Sequence, residues 1–343
     1  MSDFLPFVSI ILPIRNEAKH IRGCLQSIAQ QDFPHEQMEI IIADGLSTDN
    51  TKEVVEASKP SDIPFVWLDN PGKFVPTGLN LAIRQASGEI IIRVDGHTML
   101  APDYVQECVR ALQRSEAENV GGRMNPVGEN FFGKAVALAT SSPFGIGGGR
   151  FHYSTQEEWV DTVYLGAWPK EVFKKVGLFD EELVRDQDDE FNYRLREAGG
   201  RILLSPVINS WYSVRSQPKD LWKQYFEYGF WKVRVFQKHP RQMRWSQFIP
   251  PIFVLAVLIS LLIAILFSWG WKVPLALAGL YLLAALIATL LTAARKGWLE
   301  VCLLPFTFAI LHVSYGSGFL WGLIKFRKRW GDKVGKVPVL DMD

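Results

Sequence analysis

Ile90, Ile91, Ile92 and Val94 make a β-branched run with apolar side chains on both alternating faces, which suits a strand covered on two sides rather than one. Three earlier stretches, Val8–Pro13, Met38–Asp44 and Phe65–Asp69, have the same character. Between them lie segments with helical spacing. Ala18–Gln30 places Ile21, Leu25 and Ile28 on one face, Thr51–Ser58 follows, and Gly78–Ala86 aligns Leu79, Ala82 and Ile83. Ser47, Thr48, Asp49 and Asn50 are all residues that cap helix N-termini, which marks the start of the helix at Thr51. This alternation predicts an α/β fold, a Rossmann-like, mostly parallel sheet flanked by helices. Ligands of such sheets bind beyond the carboxyl ends of the strands, and two of the predicted strands end on carboxylates, Asp44 and Asp95.

The fourth strand, Glu89–Asp95, runs into Gly96-His97. Residues two apart in extended backbone point the same way, so Asp95 and His97 are candidates to hold a divalent cation together. Carboxylate oxygen suits Mg²⁺ or Mn²⁺, and imidazole favours Mn²⁺. The alternative is a turn in which Asp and Gly serve only the backbone. No G-x-x-x-x-G-K-[ST] motif is present, which excludes a P-loop. A formal net charge of +1 excludes a globally basic nucleic-acid binder. The three cysteines, Cys24, Cys108 and Cys302, are too few and too scattered for a disulfide framework or a zinc site, which fits a reducing compartment.

Downstream, Glu118–Pro126 predicts a further strand, while residues 128–160 show little periodicity. Asp186-Gln-Asp-Asp-Glu190 opens a helix with Phe191, Leu195 and Ala198 on its apolar stripe. Acids suit a helix N-terminus, but four in five residues exceed what capping requires.

The chain changes character after residue 215. From Lys219 to Arg244, aromatic residues such as Trp222, Tyr225, Phe230 and Trp231 alternate with Lys and Arg, a composition suited to the lipid headgroup layer. Three apolar stretches follow, 248–269, 273–294 and 299–324, the first two each about long enough to cross a hydrocarbon core. These patterns divide the chain into residues 1–215, an interfacial segment 216–246, and a transmembrane region with a basic tail, 247–343. Adjacent membrane segments make a nucleic-acid reading of the basic aromatic stretch a poor one. Positive charge at 238–244, at Arg295-Lys296 and at 325–336 would lie on one side only if the last apolar stretch does not fully cross.

Five ordered motifs carry a family resemblance. Pro13-Ile-Arg-Asn-Glu17, Ala43-Asp-Gly-Leu-Ser-Thr-Asp-Asn-Thr51, Val94-Asp-Gly-His97, Val176-Gly-Leu-Phe-Asp-Glu181 and Asp188-Asp-Glu-Phe-Asn-Tyr-Arg194 resemble the signatures of inverting family-2 glycosyltransferases with the GT-A fold. Within that family the likeness is to membrane-bound enzymes of succinoglycan-type exopolysaccharide assembly. It implies transfer of one sugar, glucose being a candidate, from a nucleotide-sugar donor, usually UDP-linked, to a lipid-linked acceptor. It further implies a multi-pass protein of the cell's inner membrane, with the catalytic domain facing the cytoplasm.

The resemblance also distributes roles. Asp44 matches the carboxylate that binds the donor's base, with Pro13 and Glu17 lining the same end of the site. Asp95 matches the metal-binding end of a D-x-D motif whose second acid is His97 here, so Mn²⁺ or Mg²⁺ is the implied cofactor. Asp188 matches the catalytic base, Asp189 being the neighbour in register, and Gln187 stands where the family carries an acid. Lys73, Asn80 and Arg93 are candidates to face donor phosphate or ribose. On the acceptor side, Trp168 is a candidate stacking surface, with burial in the core as the alternative. Arg194 is a candidate to hold the base or to neutralise the acidic cluster, and Gln224 and Trp231 are candidates to touch acceptor. The Q-x-x-R-W motif of processive synthases is replaced by Gln224-Tyr-Phe-Glu-Tyr-Gly229, which argues against a long-chain polymerase. Two alternatives remain: a polyprenyl-phosphate glycosyltransferase, and a non-catalytic nucleotide-sugar-binding membrane scaffold.

Overall fold

A computed structural model describes residues 5–296, 299–333 and 335–340. Its nine strands are β1 Val8–Ile14, β2 Met38–Asp44, β3 Phe65–Asp69, β4 Ile90–Arg93, β5 Thr98–Leu100, β6 Asn119–Val127, β7 Glu158–Val160, β8 Tyr164–Pro169 and β9 Ile202–Ser213. Twelve α-helices intervene or follow. They are α1 Ile21–Ala29, α2 Thr51–Glu56, α3 Val75–Gln85, α4 Tyr104–Arg114, α5 Phe131–Thr140, α6 Pro143–Ile146, α7 Glu171–Val176, α8 Gln187–Glu197, α9 Pro218–Lys238, α10 Ile249–Leu266, α11 Lys272–Lys296 and α12 Leu304–Lys325.

All strands join one sheet in the order β3-β2-β1-β4-β8-β6-β9-β5, with β7 paired to β9. The first four are parallel, and β1, β2 and β4 are buried along their whole length, as their unbroken apolar runs require. From β4 onward, β8, β6, β5 and β7 join by antiparallel pairings. The sheet is therefore mixed; of its antiparallel half the sequence indicates β6, read over Glu118–Pro126, but not the direction of its pairing. Gly122 belongs to that half because a Cβ there would run into the carbonyl of Ile208.

Two element boundaries matter for the site. The fourth strand ends at Arg93, not Asp95, and the amide of Thr98 donates to the carbonyl of Asp95 (2.9 Å), so Asp95–Thr98 is a turn. The aperiodic stretch at 128–160 contains α5, α6 and β7.

The chain forms two compact units. The first takes the residues up to Asn125, Ser154–Tyr212 and the segment from Gly335; the second takes Pro126–Tyr153 and Ser213–Val334. The first unit thus differs from the 1–215 span read from sequence in two ways: it gives up residues 126–153 and gains the segment that follows α12.

In the second unit, α9 and α12 lie side by side at backbone contact. A Cβ on Gly229 would strike the carbonyl of Tyr315, and one on Gly318 the carbonyl of Phe226. The cations of α9 do not all face outward: Lys232, Arg234 and Lys238 are buried. Arg234 donates to Gln237 Oε1 (2.8 Å) and to the carbonyl of Asp332 (3.2 Å). The headgroup reading gives way at Arg234 to this internal pairing and at Lys232 and Lys238 to burial. Three helical stretches, Trp245–Leu266, Lys272–Ala294 and Val301–Lys325, are long and apolar enough to cross a membrane.

Candidate active site

The loops after β1 and β2 are interlocked by short polar side chains. Asp44, buried at the end of β2, accepts from the amide of Ser47 (2.9 Å) and from its hydroxyl (2.5 Å). The Ser47 Oγ accepts from the amide of Asn16 (2.8 Å), and Asn16 Oδ1 accepts from the amide of Thr48 (2.8 Å). Asn16 (φ 56°) and Leu46 (φ 54°) turn through the left-handed region to allow this exchange. Asp49 accepts from Ala18 and Thr51. Burial works to raise its pKa, but these hydrogen bonds outweigh it and hold the carboxyl below the usual range. The Ser-Thr-Asp-Asn run therefore latches one loop to the other, and no side chain at Asn50 caps α2.

The next link crosses from β1 to the turn after β4. Glu17 Oε1 lies 2.9 Å from His97 Nδ1, and the His97 ring meets Tyr212 edge-on with centroids 5.2 Å apart. Gly96 leaves room for this pair, since a Cβ there would sit 3.1 Å from Glu17 Cγ.

Arg93 ends β4 with 6% exposure. Its Nε donates to Asp95 Oδ1 (3.0 Å) and its Nη2 to Oδ2 (3.3 Å), while Nη1 lies 4.0 Å from Asp188 Oδ2. Burial opposes the charge, yet the two carboxylates outweigh burial and raise the Arg93 pKa. One guanidinium thus brings together residues 95 and 188, from different ends of the unit's sequence. Asp188 lies in the first turn of α8 with Asp189 and Glu190, where the helix dipole favours negative charge. Its side chain is 44% exposed, open enough to meet a substrate. Beneath the turn, the Tyr164 hydroxyl lies 2.8 Å from Thr98 Oγ1, and burial followed by the Asp95 charge pushes its pKa up. The sequence offered no signal for this tyrosine.

Asp44, Glu17, His97, Asp95, Arg93 and Asp188 therefore lie along one run of contacts in the first unit. Pro13 is buried within β1, paired in register with Ala43 beside Asp44, and Lys73 is exposed in a loop (φ 63°) whose carbonyl would lie 3.1 Å from a Cβ on Gly45. Arg93 is not a free phosphate ligand, because its fork holds Asp95. Asn80 is buried, and its side chain bonds the carbonyl (2.9 Å) and amide (2.9 Å) of Phe179, not ribose. Trp168 is 2% exposed, packed among Phe173, Phe179 and Phe191, so no face is open for stacking on a sugar. Arg194 grips Glu190 through Nε (2.7 Å) and Nη2 (2.9 Å), which neutralises the cluster at Glu190 instead of holding the base. Asp189 donates its amide to Asp188 Oδ1 (3.0 Å). Gln224 and Trp231 lie on α9 in the second unit, Gln224 bonded to the Tyr228 hydroxyl (2.9 Å) and Trp231 packed on Phe230 and Phe326.

Among the described residues, no group of three or more His, Cys, Asp or Glu is arranged to enclose a metal ion. The turn also gives Asp95 and His97 different partners. This donor set does not make an all-protein cage, but it fits a Mg²⁺- or Mn²⁺-type ion held largely by substrate phosphate oxygens. Asp95 and the His97 Nε2 would be its protein ligands.

A mixed sheet with Asp44 at the end of β2, Asp95 in the turn after β4 and an acidic start to α8 is the arrangement of a GT-A glycosyltransferase fold. The same fold is seen in a mannosyltransferase of Pyrobaculum calidifontis, PcManGT, solved with GDP-Man and Mn²⁺. The two align with a TM-score of 0.61 at 17% identity, over 94% of this chain and 88% of that one. The chain belongs to glycosyl transferase family 2, whose family model matches residues 9–177. It is 30% identical over 322 residues to the succinoglycan biosynthesis protein ExoA of Rhizobium meliloti, covering 93% of this chain and 96% of that protein. It is also 30% identical over 327 residues to a Methanococcus voltae dolichyl N-acetyl-α-D-glucosaminyl phosphate 3-β-D-2,3-diacetamido-2,3-dideoxy-β-D-glucuronosyltransferase, covering 93% and 98%.

Proposed function

We propose that this chain is a membrane-anchored, inverting hexosyltransferase that moves one sugar from a UDP-linked donor to a lipid-linked saccharide. Asp188 takes the proton from the acceptor hydroxyl as its oxygen attacks the anomeric carbon and the bond to the diphosphate breaks. A positioned base of this kind is worth about 10²–10⁴-fold in rate. Asp44, with Glu17 beside it, orients the donor's nucleoside end, and Arg93 keeps Asp95 and Asp188 at one centre. Asp95 and His97 would hold a divalent cation, which when bound would supply positive charge to the leaving diphosphate. The observation that carries this reading is the Arg93 guanidinium, forked onto Asp95 and 4.0 Å from Asp188.

Two further facts support the membrane and acceptor parts. Helices α10 and α11 present exposed Ile252, Leu258, Ile265, Leu275, Leu280 and Leu290, a surface suited to lipid. The Methanococcus relative is named for an acceptor that is itself a lipid-linked sugar phosphate. The test is to offer purified protein in nanodiscs UDP-[¹⁴C]glucose with either a polyprenyl-diphosphate sugar or polyprenyl phosphate. Label should enter the lipid-linked saccharide, and chelation by EDTA should abolish transfer until Mn²⁺ or Mg²⁺ is restored. Transfer to polyprenyl phosphate itself, or full activity in EDTA, would contradict the proposal.

A further inference from the structure

We infer that residues 335–340 form a backbone strap that positions the base-bearing helix α8, and that this strap shares the catalytic unit's side of the membrane. The positioning role rests on the reading of Asp188 above; the shared side does not.

The strap acts on the loop between α7 and α8. Its Lys336 amide donates to Asp180 Oδ1 (2.8 Å), its Lys336 carbonyl accepts from the Glu181 amide (2.9 Å), and its Pro338 carbonyl accepts from the Leu178 amide (2.9 Å). Arg84 Nη2 holds the Val339 carbonyl (2.8 Å), and Leu340 is buried. Asp180, 0% exposed, also accepts from the Glu182 amide (3.0 Å). Gly177, at φ 79°, leaves room for Val337, since a Cβ would lie 2.9 Å from its Cγ1.

The same loop is the anchor of α8. Arg194 donates to the carbonyls of Val176 and Leu178 while its fork grips Glu190, and Phe179 stacks on Phe191 at 4.7 Å. Glu190 and Phe191 stand two and three residues after Asp188. The path from strap to loop to helix runs through backbone hydrogen bonds and buried side chains, which transmit small shifts. The sequence between Arg194 and Gly335 returns to this place only after all the apolar helices, so local pattern gave no sign of it.

The strap also constrains how the apolar helices are threaded. Residues 335–340 belong to the same compact unit as Asp44, Asp95 and Asp188, so an even number of crossings must separate them. Helix α12 is the one that does not cross. Over Tyr315–Gly322 it lies at backbone contact with α9, a helix carrying Lys219, Asp220, Lys223, Glu227, Lys232, Arg234 and Lys238. That many charges do not belong in hydrocarbon. Of its apolar window 44% is buried in protein, against 17% for α10 and 22% for α11. Two crossings, by α10 and α11, leave the basic 325–336 region on the catalytic unit's side of the membrane, as the positive-inside rule prefers.

The experiment has two arms on the full chain. In the first, Cys302→Ser, whose remaining Cys24 and Cys108 are buried, carries one added cysteine at Lys59, Ser268, Leu299 or Lys336, labelled in sealed vesicles by a membrane-impermeant maleimide. Positions 59, 299 and 336 should label from one side and 268 from the other; Lys336→Cys labelling with Ser268→Cys would overturn the proposal whatever the enzyme's activity. In the second, Lys336→Pro deletes the amide donor to Asp180, and Lys336→Ala keeps it. Lys336→Pro should raise amide exchange at Leu178 and Glu181 at least tenfold and lower kcat by about 10–100-fold with donor KM unchanged. Lys336→Ala should match the unaltered protein in both. Equal exchange and kcat in both variants, or a loss confined to donor KM, would overturn the positioning role.

Discussion

Burying a guanidinium costs several kcal/mol unless its donors are met by carboxylates in good geometry. Arg93 meets that condition with the Asp95 fork and the nearby Asp188 carboxylate. Lysine in its place keeps the charge but offers a point donor where a planar fork is needed. We predict that Arg93→Lys folds normally by circular dichroism yet loses about 10²-fold in kcat, because Asp95 is no longer fixed relative to Asp188. An unchanged kcat would mean the fork only supports the fold. The residue scale also shows what pattern reading can reach. Asp44 and the acidic start of α8 were legible as local signals, a carboxylate at a strand end and acids at a helix start, whereas only the family resemblance singled out Asp188 within that cluster. Trp168 was not, since composition gives a buried tryptophan and a sugar-stacking one the same letter, and only Phe173, Phe179 and Phe191 decide between them.

Among the elements, β1, β2 and β4 could be read directly, because a run covered on both faces needs no knowledge of its partner, and the half-buried β3 by its place in the alternation. Of the antiparallel strands, β6 was legible as the strand read over Glu118–Pro126, whereas β5 and β7, three residues long, are too short to show a pattern. Helix α9 is the instructive middle case. Its basic and aromatic content was read as a headgroup helix, while Arg234 is buried and bonded to the Asp332 carbonyl 98 residues onward. The α9–α12 contact is held by small residues that let backbones approach. We predict that Gly318→Val forces the two apart, costing about 1–3 kcal/mol. In detergent this should appear as a lower melting temperature than that of Gly279→Val, where a Cβ meets nothing within 4 Å. Equal melting temperatures would show that the close approach is not needed.

At the scale of the whole molecule, catalysis of this kind asks that a water-soluble donor and a lipid-bound acceptor meet at one base. On the proposed function, confinement of enzyme and acceptor to one plane would meet half of that requirement and the sheet's carboxyl edge the other. What the sequence could not convey was the way the chain's later part serves its earlier part: residues 126–153 leave the catalytic unit and residues 335–340 rejoin it. Both are long-range pairings, invisible to any window of sequence.

The most direct measurement is the Asp188→Asn variant, titrated with nucleotide-sugar by calorimetry and assayed for transfer on the same preparation. Donor affinity within about twofold of the unaltered protein, with transfer reduced about 10²–10⁴-fold, is the predicted result. Near-normal turnover, or loss of donor binding along with transfer, would contradict the assignment of Asp188 as the base.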